Sequence, residues 1–197
     1  MIKTLLILGN DKIAGSALTK INNIDKDTKI IIDRSTNLKR IKRLIQKKIL
    51  KPSLIFKMAL NEIARKDKKP NKKLSGISSN TDILKIIQDF SPDRLILFRA
   101  GLIINKEILN TRIPVLNIHA ATVPDFGGLG SIDMALKSKV YNQSACLHIV
   151  TSRIDEGAVI DKEDYALDPK ANYFINEEIA YNAAIKLLLR AITKNYL

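Results

Sequence analysis

Apolar residues come in two patterns along this chain: short continuous runs, and stretches where they recur every three or four positions. The runs at Lys3–Gly9, Thr28–Asp33, Arg94–Phe98, Pro114–His119 and Ser144–Thr151 read as strands, and the more polar Ile160–Leu167 reads as one more. Unbroken apolar runs of this length, bounded by turn residues, are what strands buried on both faces look like. Helical spacing marks 14–21, 83–90, 131–137 and 176–193, the last with Ile179, Ala183, Leu187 and Ala191 on one face. Asn80-Thr81-Asp82 supplies a cap for 83–90, Ser91-Pro92-Asp93 ends that helix, and Arg99-Ala100-Gly101 turns into 102–109. Strands alternating with helices predict a single α/β domain over 1–197, a three-layer, Rossmann-like, mostly parallel sheet. No internal repeat interrupts it.

One segment departs from that rhythm. Leu38, Ile41, Leu44, Ile45 and Ile49 recur at helical spacing, as do Leu54, Ile55, Met58, Ala59 and Ile63 after Pro52. These predict two amphipathic helices, followed by a polar loop over 66–73, in an insertion at about 37–73. The charge is concentrated here: 39–73 holds 14 Lys/Arg and 2 acids, so +12 of the total +13 belongs to it. Three readings stay open for it. They are a solvated face whose apolar stripe packs on the sheet, an anionic membrane surface, and an anionic ligand or partner. Nucleic acid is not expected, because Phe56 is the only aromatic residue in the segment and stacking needs more.

Composition narrows the class. No window is long and apolar enough for a membrane span, and the four-residue apolar core at Leu5–Leu8 is too short for a secretory leader. The lone Cys146 excludes an internal disulfide and, in an apolar run, reads as a buried structural thiol. We therefore expect a cytoplasmic protein, peripheral to a membrane if the basic segment binds lipid. The first strand-to-helix turn, Gly9-Asn10-Asp11-Lys12-Ile13-Ala14-Gly15, lacks the Gly-x-Gly-x-x-Gly spacing of a dinucleotide site. Two histidines and one cysteine at no ligand spacing give a metal no support.

The candidate chemistry lies at strand ends. Residues two apart on a strand share a face, so Asn117 and His119 present an amide and an imidazole side by side where their strand runs out. Asp155-Glu156-Gly157 closes the next apolar strand. In such sheets ligands bind beyond the carboxyl ends of the strands. His148, in Cys146-Leu147-His148-Ile149-Val150, reads as a hydrogen-bonded core histidine, with the pocket as the other reading.

These residues resemble the catalytic domain of the 10-formyltetrahydrofolate-dependent formyltransferases. The likeness rests on Asn117-Ile118-His119, Pro124 with Gly127-Gly128, Met134-Ala135-Leu136, Asp155-Glu156-Gly157 and the upstream segment 99–109. It is good from about 80 to 167, looser over 2–33 and absent from 38 to 73. It implies a fold of the formyltransferase type and an enzyme that moves a formyl group from 10-formyltetrahydrofolate to a primary amine. Asn117, His119 and Asp155 are then the catalytic set: an oxyanion donor, a proton shuttle, and the group that favours charged His119. Arg99, Gly101, Leu102, Ile103, Ile104, Ile154 and Gly157 are expected around the folate, and Thr122, Pro124, Asp125, Gly127 and Gly128 around the acceptor. His119-Ala120-Ala121-Thr122-Val123-Pro124 departs from the family's His-Pro-Ser-Leu-Leu-Pro, so the serine's part is missing or falls to Thr122.

The resemblance also sorts the branches. No counterpart is expected of the C-terminal tRNA domain of methionyl-tRNA formyltransferases. Gly9-Asn10-Asp11 matches the phosphate loop of the phosphoribosylglycinamide enzymes poorly. The amino-sugar branch is left as the nearest, with a nucleotide-linked amino sugar as acceptor. The purine-pathway acceptor and a non-catalytic membrane- or ligand-binding member stay as alternatives. Expected partners are thus a small-molecule amine, an anionic membrane surface through 39–73 and a second copy in a homodimer.

Overall fold

Strand β1 (Thr4–Gly9) lies between β2 (Thr28–Asp33) and β4 (Arg94–Phe98), parallel to both. The computed structural model describes residues 2–21, 27–35, 42, 45–47 and 50–196. The described strands form one sheet in the order β3-β2-β1-β4-β5-β6-β7, where β3 is Gly76–Ile77, β5 Val115–His119, β6 Asn142–Ile149 and β7 Val159–Ala166. Pairing is parallel from β3 through β5 and antiparallel for β5·β6 and β6·β7. The predicted sheet is therefore present, with an antiparallel pair added at one edge.

Side-chain alternation divides the core into two layers. Leu5, Ile7, Leu95, Leu97 and Val115 face one side with Ile83 and Ile108. Leu6, Leu8, Ile96, Phe98, Leu116 and Ile118 face the other, against Ile13, Leu187 and Leu188. Each large aliphatic side chain buried this way stabilises the fold by about 1.5–3 kcal/mol. The first layer carries α3 (Asn80–Phe90) and the short α4 (Lys106–Leu109). The second carries α1 (Lys12–Lys20), α5 (Ser131–Lys137) and the closing helix α6 (Tyr173–Thr193).

Helix starts fall where side-chain acceptors meet free N–H groups. Asp11 accepts from Ala14 N at 2.8 Å and Asn172 from Ile175 N at 3.0 Å. For α3 the cap is Ser79, one residue before the predicted Asn80-Thr81-Asp82. Ser79 and Asp82 form a reciprocal capping box, so the helix begins at Asn80 and not at Ile83. At the far end of α6, Arg94 donates to the carbonyls of Lys194 (2.7 Å) and Ile192 (3.0 Å), closing the helix onto β4.

The basic segment differs most from expectation. Its first predicted helix, with Leu38, Ile41, Leu44 and Ile49, falls mostly outside the described residues. The second is present as α2 (Pro52–Ala64), with Pro at its first turn. Its apolar stripe does not pack on the sheet. Leu54 is buried, Ile55 and Met58 half-buried, but Ile63 is 74 % exposed. The contacts that fix α2 are polar instead: Asn61 Nδ2 donates to Glu177 Oε2 at 2.8 Å, and Arg65 reaches Glu177 and Glu178 at 2.6 Å each. Lys12 adds bonds to Glu62 (3.0 Å) and to the carbonyls of Ile63 (2.8 Å) and Arg65 (2.6 Å). A buried acid on α6, which the apolar spacing did not reveal, therefore pulls a polar face of α2 inward.

Candidate active site

Strand β5 places the first two polar groups. Val115, Asn117 and His119 alternate onto one face, and the last two stand half-buried where the strand ends. Because β6 runs antiparallel to β5, His148 lies directly across from Asn117 in the register. The chain then bends, and Asp155 (φ +55°) swings back toward the strand end. Asp is among the few non-glycine residues that tolerate this region. Gly157 completes the bend: a Cβ there would sit 1.7 Å from the Ile149 carbonyl oxygen, so no side chain fits.

The Asp155 carboxylate is the hub. Its Oδ2 accepts from Gly128 N at 2.7 Å and lies 3.4 Å from His119 Nδ1. Its Oδ1 accepts from Asn117 Nδ2 at 3.3 Å and lies 3.3 Å from His148 Nε2. Gly128, at φ +81°, has the backbone conformation that turns its N–H toward the carboxylate.

Proton positions follow from the partners. His119 Nε2 faces the Phe126 carbonyl at 2.9 Å, which requires a proton there. A second proton at Nδ1 would face Asp155, so the charged ring has an acceptor for each N–H. His148 Nδ1 faces the Ile149 carbonyl at 3.1 Å, and its Nε2 lies 3.1 Å from Asn117 Nδ2 and 3.3 Å from Asp155 Oδ1. Burial pushes the His119 imidazolium below its ordinary pKa, with Asp155 and the Phe126 carbonyl opposing. The balance favours the neutral ring. Burial alone would raise Asp155, but His148, His119 and the Gly128 N–H outweigh it and hold the carboxyl well below the usual range.

These groups open on a cavity of about 460 Å³, within the size of small-molecule sites. Leu97, Ile104, Ile132 and Val150 contribute apolar wall, and Met58 brings α2 into it. The loop after β4 is held from three directions. Asp33 Oδ2 accepts from Gly101 N (2.7 Å) and Leu102 N (2.8 Å). Asn80 donates to the Ile103 carbonyl (2.9 Å) and accepts from Asn105 N (3.2 Å). Arg99 (φ +60°) pairs with Asp11 at 2.6 Å, hydrogen-bonds Tyr181 Oη and stacks over its ring. Burial opposes its charge, but Asp11 and Tyr181 raise its pKa further. Ser35 Oγ, in the cavity wall, is buried and has no hydrogen-bond partner among the described residues.

Asn117, His119 and Asp155 are thus brought together, and Arg99, Gly101, Leu102, Ile103, Ile104, Ile154 and Gly128 line the same cavity. Others expected at the site stand outside its wall. Thr122 is turned away, its Oγ1 accepting from Ser144 N at 3.0 Å and its N–H bonded to Gln143 at 3.1 Å. Pro124, after a cis bond, and Asp125 are exposed. Gly127 lies against Asp155, and Gly157 against Ile149. His148 is buried as expected of a core histidine, yet its ring faces the site. Asp33, the Arg99–Asp11 pair and the Glu177 cluster were not singled out from sequence. The only sequence signal was an acid ending an apolar strand, at Asp33, or interrupting an apolar helix, at Glu177. No group of His, Cys, Asp and Glu among the described residues is placed to hold a metal ion.

A parallel sheet with an antiparallel edge, carrying an amide, a carboxylate and an imidazole over a half-apolar cavity, defines an α/β protein equipped for acyl-type group transfer. A formyl transferase family model matches residues 5–185, and the chain belongs to that family. It is 28% identical over 111 residues to a methionyl-tRNA formyltransferase of Campylobacter jejuni and 26% identical over 114 residues to one of Neisseria meningitidis. Those alignments take in 56% and 57% of this chain but 36% of each relative's length. Among solved structures, a 4-N formyltransferase from Francisella tularensis has the same fold (TM-score 0.66, 15% identity, 96% of this chain and 67% of that one). So does a phosphoribosylglycinamide formyltransferase from C. jejuni (TM-score 0.63, 13% identity, 97% and 95%).

Proposed function

We propose that this chain transfers a formyl group from 10-formyltetrahydrofolate to a primary amine, and that the amine belongs to a nucleotide-linked amino sugar. The observation that carries the transfer is the meeting of Asn117, His119 and Asp155 within 3.3–3.4 Å at the mouth of one cavity. The cavity suits a folate. Leu97, Leu102, Ile104 and Val150 give its wall apolar surface for a flat heterocycle, and Ser35 Oγ in the same wall has no partner among the described residues.

The bound folate supplies an electrophilic formyl carbon. Asn117 Nδ2 directs one hydrogen at Asp155 and offers the other to charge growing on the formyl oxygen. The acceptor amine attacks the formyl carbon and gives up a proton to neutral His119 at Nδ1, with Asp155 beside it favouring the imidazolium. The bond from the carbon to the folate nitrogen then breaks, that nitrogen takes the proton, and tetrahydrofolate leaves. The Gly128 N–H and His148 hold the Asp155 carboxylate for that role. Arg99, Asp33 and Asn80 keep the loop over 99–105 as a fixed wall.

A purine-type acceptor is the second reading, favoured by the near-complete overlap with the C. jejuni enzyme. Among the described residues, the cations on the cavity wall are Arg99 and Arg153, paired with Asp11 and Glu156; both acceptors carry phosphate, so this bears on them equally. The test is tetrahydrofolate release on incubation with 10-formyltetrahydrofolate and a panel of nucleotide-linked amino sugars, glycinamide ribonucleotide and methionyl-tRNA. Release with an amino sugar supports the proposal, and release with glycinamide ribonucleotide alone moves the acceptor to the second reading. Folate binding without release from any acceptor would mark a non-catalytic member.

A further inference from the structure

Helix α2 is amphipathic in the reverse sense. At 100° per residue, Leu54, Met58, Asn61 and Arg65 fall on one side, and that side meets the protein through Glu177, Glu178 and the cavity wall. Half a turn round the helix stand Phe56, Leu60 and Ile63, which are 65 %, 47 % and 74 % exposed. Three large apolar side chains at i, i+4 and i+7 form a continuous ridge, not scattered surface residues. None of them lines the cavity, and Ile63 is held only through its backbone carbonyl, which accepts from Lys12 Nζ at 2.8 Å. Lys57 flanks the ridge on α2, and Lys66, Lys68, Lys72 and Lys73 follow in the loop after it, all exposed. From 51 to 73 there are eight Lys/Arg against two acids, and of the exposed lysines only Lys69 lies near a carboxylate, Glu62 at 3.7 Å.

We propose that this ridge docks the protein on an anionic lipid bilayer. The charge argues for the occupant. A second copy would bring the same lysine-rich surface against itself, which repulsion opposes. A bilayer with anionic headgroups supplies the opposite charge and, just below it, an apolar layer for Phe56, Leu60 and Ile63. A convex ridge of apolar side chains rimmed by lysines is the form such interfacial helices take. The polar anchoring by Asn61 and Arg65 serves this arrangement, because with Leu54 and Met58 it holds α2 on the protein without using Phe56, Leu60 or Ile63. An acidic protein groove is the competing occupant, and a ridge with lysines spread over a following loop fits a flat fluid surface better.

The test is co-sedimentation of the whole chain with phosphatidylcholine vesicles, with and without phosphatidylglycerol, at low and high salt. Binding is expected only with the anionic lipid, falling at least about tenfold at high salt. The triple variant Phe56→Ser/Leu60→Ser/Ile63→Ser should lose binding at low salt while its melting temperature and folate binding match the parent. Lys66→Gln/Lys68→Gln/Lys72→Gln should weaken binding at least about tenfold. No vesicle binding, equal binding to neutral vesicles, or unchanged binding by the folded triple variant would each overturn the proposal. So would sedimentation showing a dimer that the same variant abolishes. These readouts do not depend on formyl transfer.

Discussion

His148 Nε2 lies 3.3 Å from Asp155 Oδ1, while the carboxylate's other oxygen lies 3.4 Å from His119 Nδ1. One half-buried acid is therefore flanked by two imidazoles, and His148 also meets Asn117 at 3.1 Å. Replacing His148 by Ala would leave both the amide and the carboxylate short of a partner and free to reorient. A loss of about 10–100-fold in kcat is expected with little change in KM for folate, since misplacement by a fraction of an ångström is enough. His148→Asn, which keeps one donor and one acceptor, should recover part of it. Steady-state kinetics of the two variants checks this, and a His148→Ala enzyme as active as the parent would contradict it.

The pH profile carries the sign of the His119 shift. Burial lowers its pKa, so the neutral ring predominates down to below the ordinary value of about 6.5. If neutral His119 takes up the proton, kcat/KM rises through a midpoint below that value and is flat at neutral pH. Asp155 favours the charged ring, so Asp155→Asn should move the midpoint still lower as well as reduce the rate. A midpoint above the ordinary histidine value would contradict the assignment.

Much of this site is legible in the sequence, for a physical reason. Asn117 and His119 share a face because any strand has period two, but β6 runs antiparallel and ends beside Leu116, so it is the bend after it that carries Asp155 back to them. His148 is harder to place, because an apolar run containing one histidine looks the same whether the ring is core or site. Its facing of Asn117 depends on the antiparallel register of β6, which alternation cannot supply. Helix α2 misleads for the opposite reason. Its apolar spacing is real, but Glu177, buried on α6, holds Asn61 and Arg65 inward and sends Ile63 to solvent.

That arrangement has an energetic consequence. Arg65 and Glu177 are both nearly inaccessible, and removing one partner leaves a buried charge. Arg65→Met should destabilise the protein by about 3–5 kcal/mol. Adding Glu177→Gln should restore part of that, since the stranded carboxylate is then gone. Urea unfolding of the single and double variants measures both, and a double variant less stable than Arg65→Met would contradict this account.

Asp33 tests the folate wall separately from the chemistry. Its carboxylate accepts from Gly101, Leu102 and Ser35 backbone N–H groups at 2.7–2.8 Å. Asp33→Ala leaves those N–H groups unsatisfied, at a cost of about 1–3 kcal/mol, and loosens the loop over 99–105. KM for 10-formyltetrahydrofolate should rise about tenfold with kcat changed far less. A fall confined to kcat would place Asp33 in the reaction and not in the wall.

The central claim is that Asn117 acts on the formyl oxygen in a folate-filled cavity. The most direct measurement pairs calorimetric binding of 5-formyltetrahydrofolate, a stable relative of the donor, with turnover of 10-formyltetrahydrofolate in the parent and in Asn117→Ala. The account predicts that both proteins bind the folate within about threefold of each other. It predicts that the variant releases tetrahydrofolate about 100–1,000-fold more slowly. A parent chain that binds no folate, or an Asn117→Ala variant that turns over at the parental rate, would contradict it.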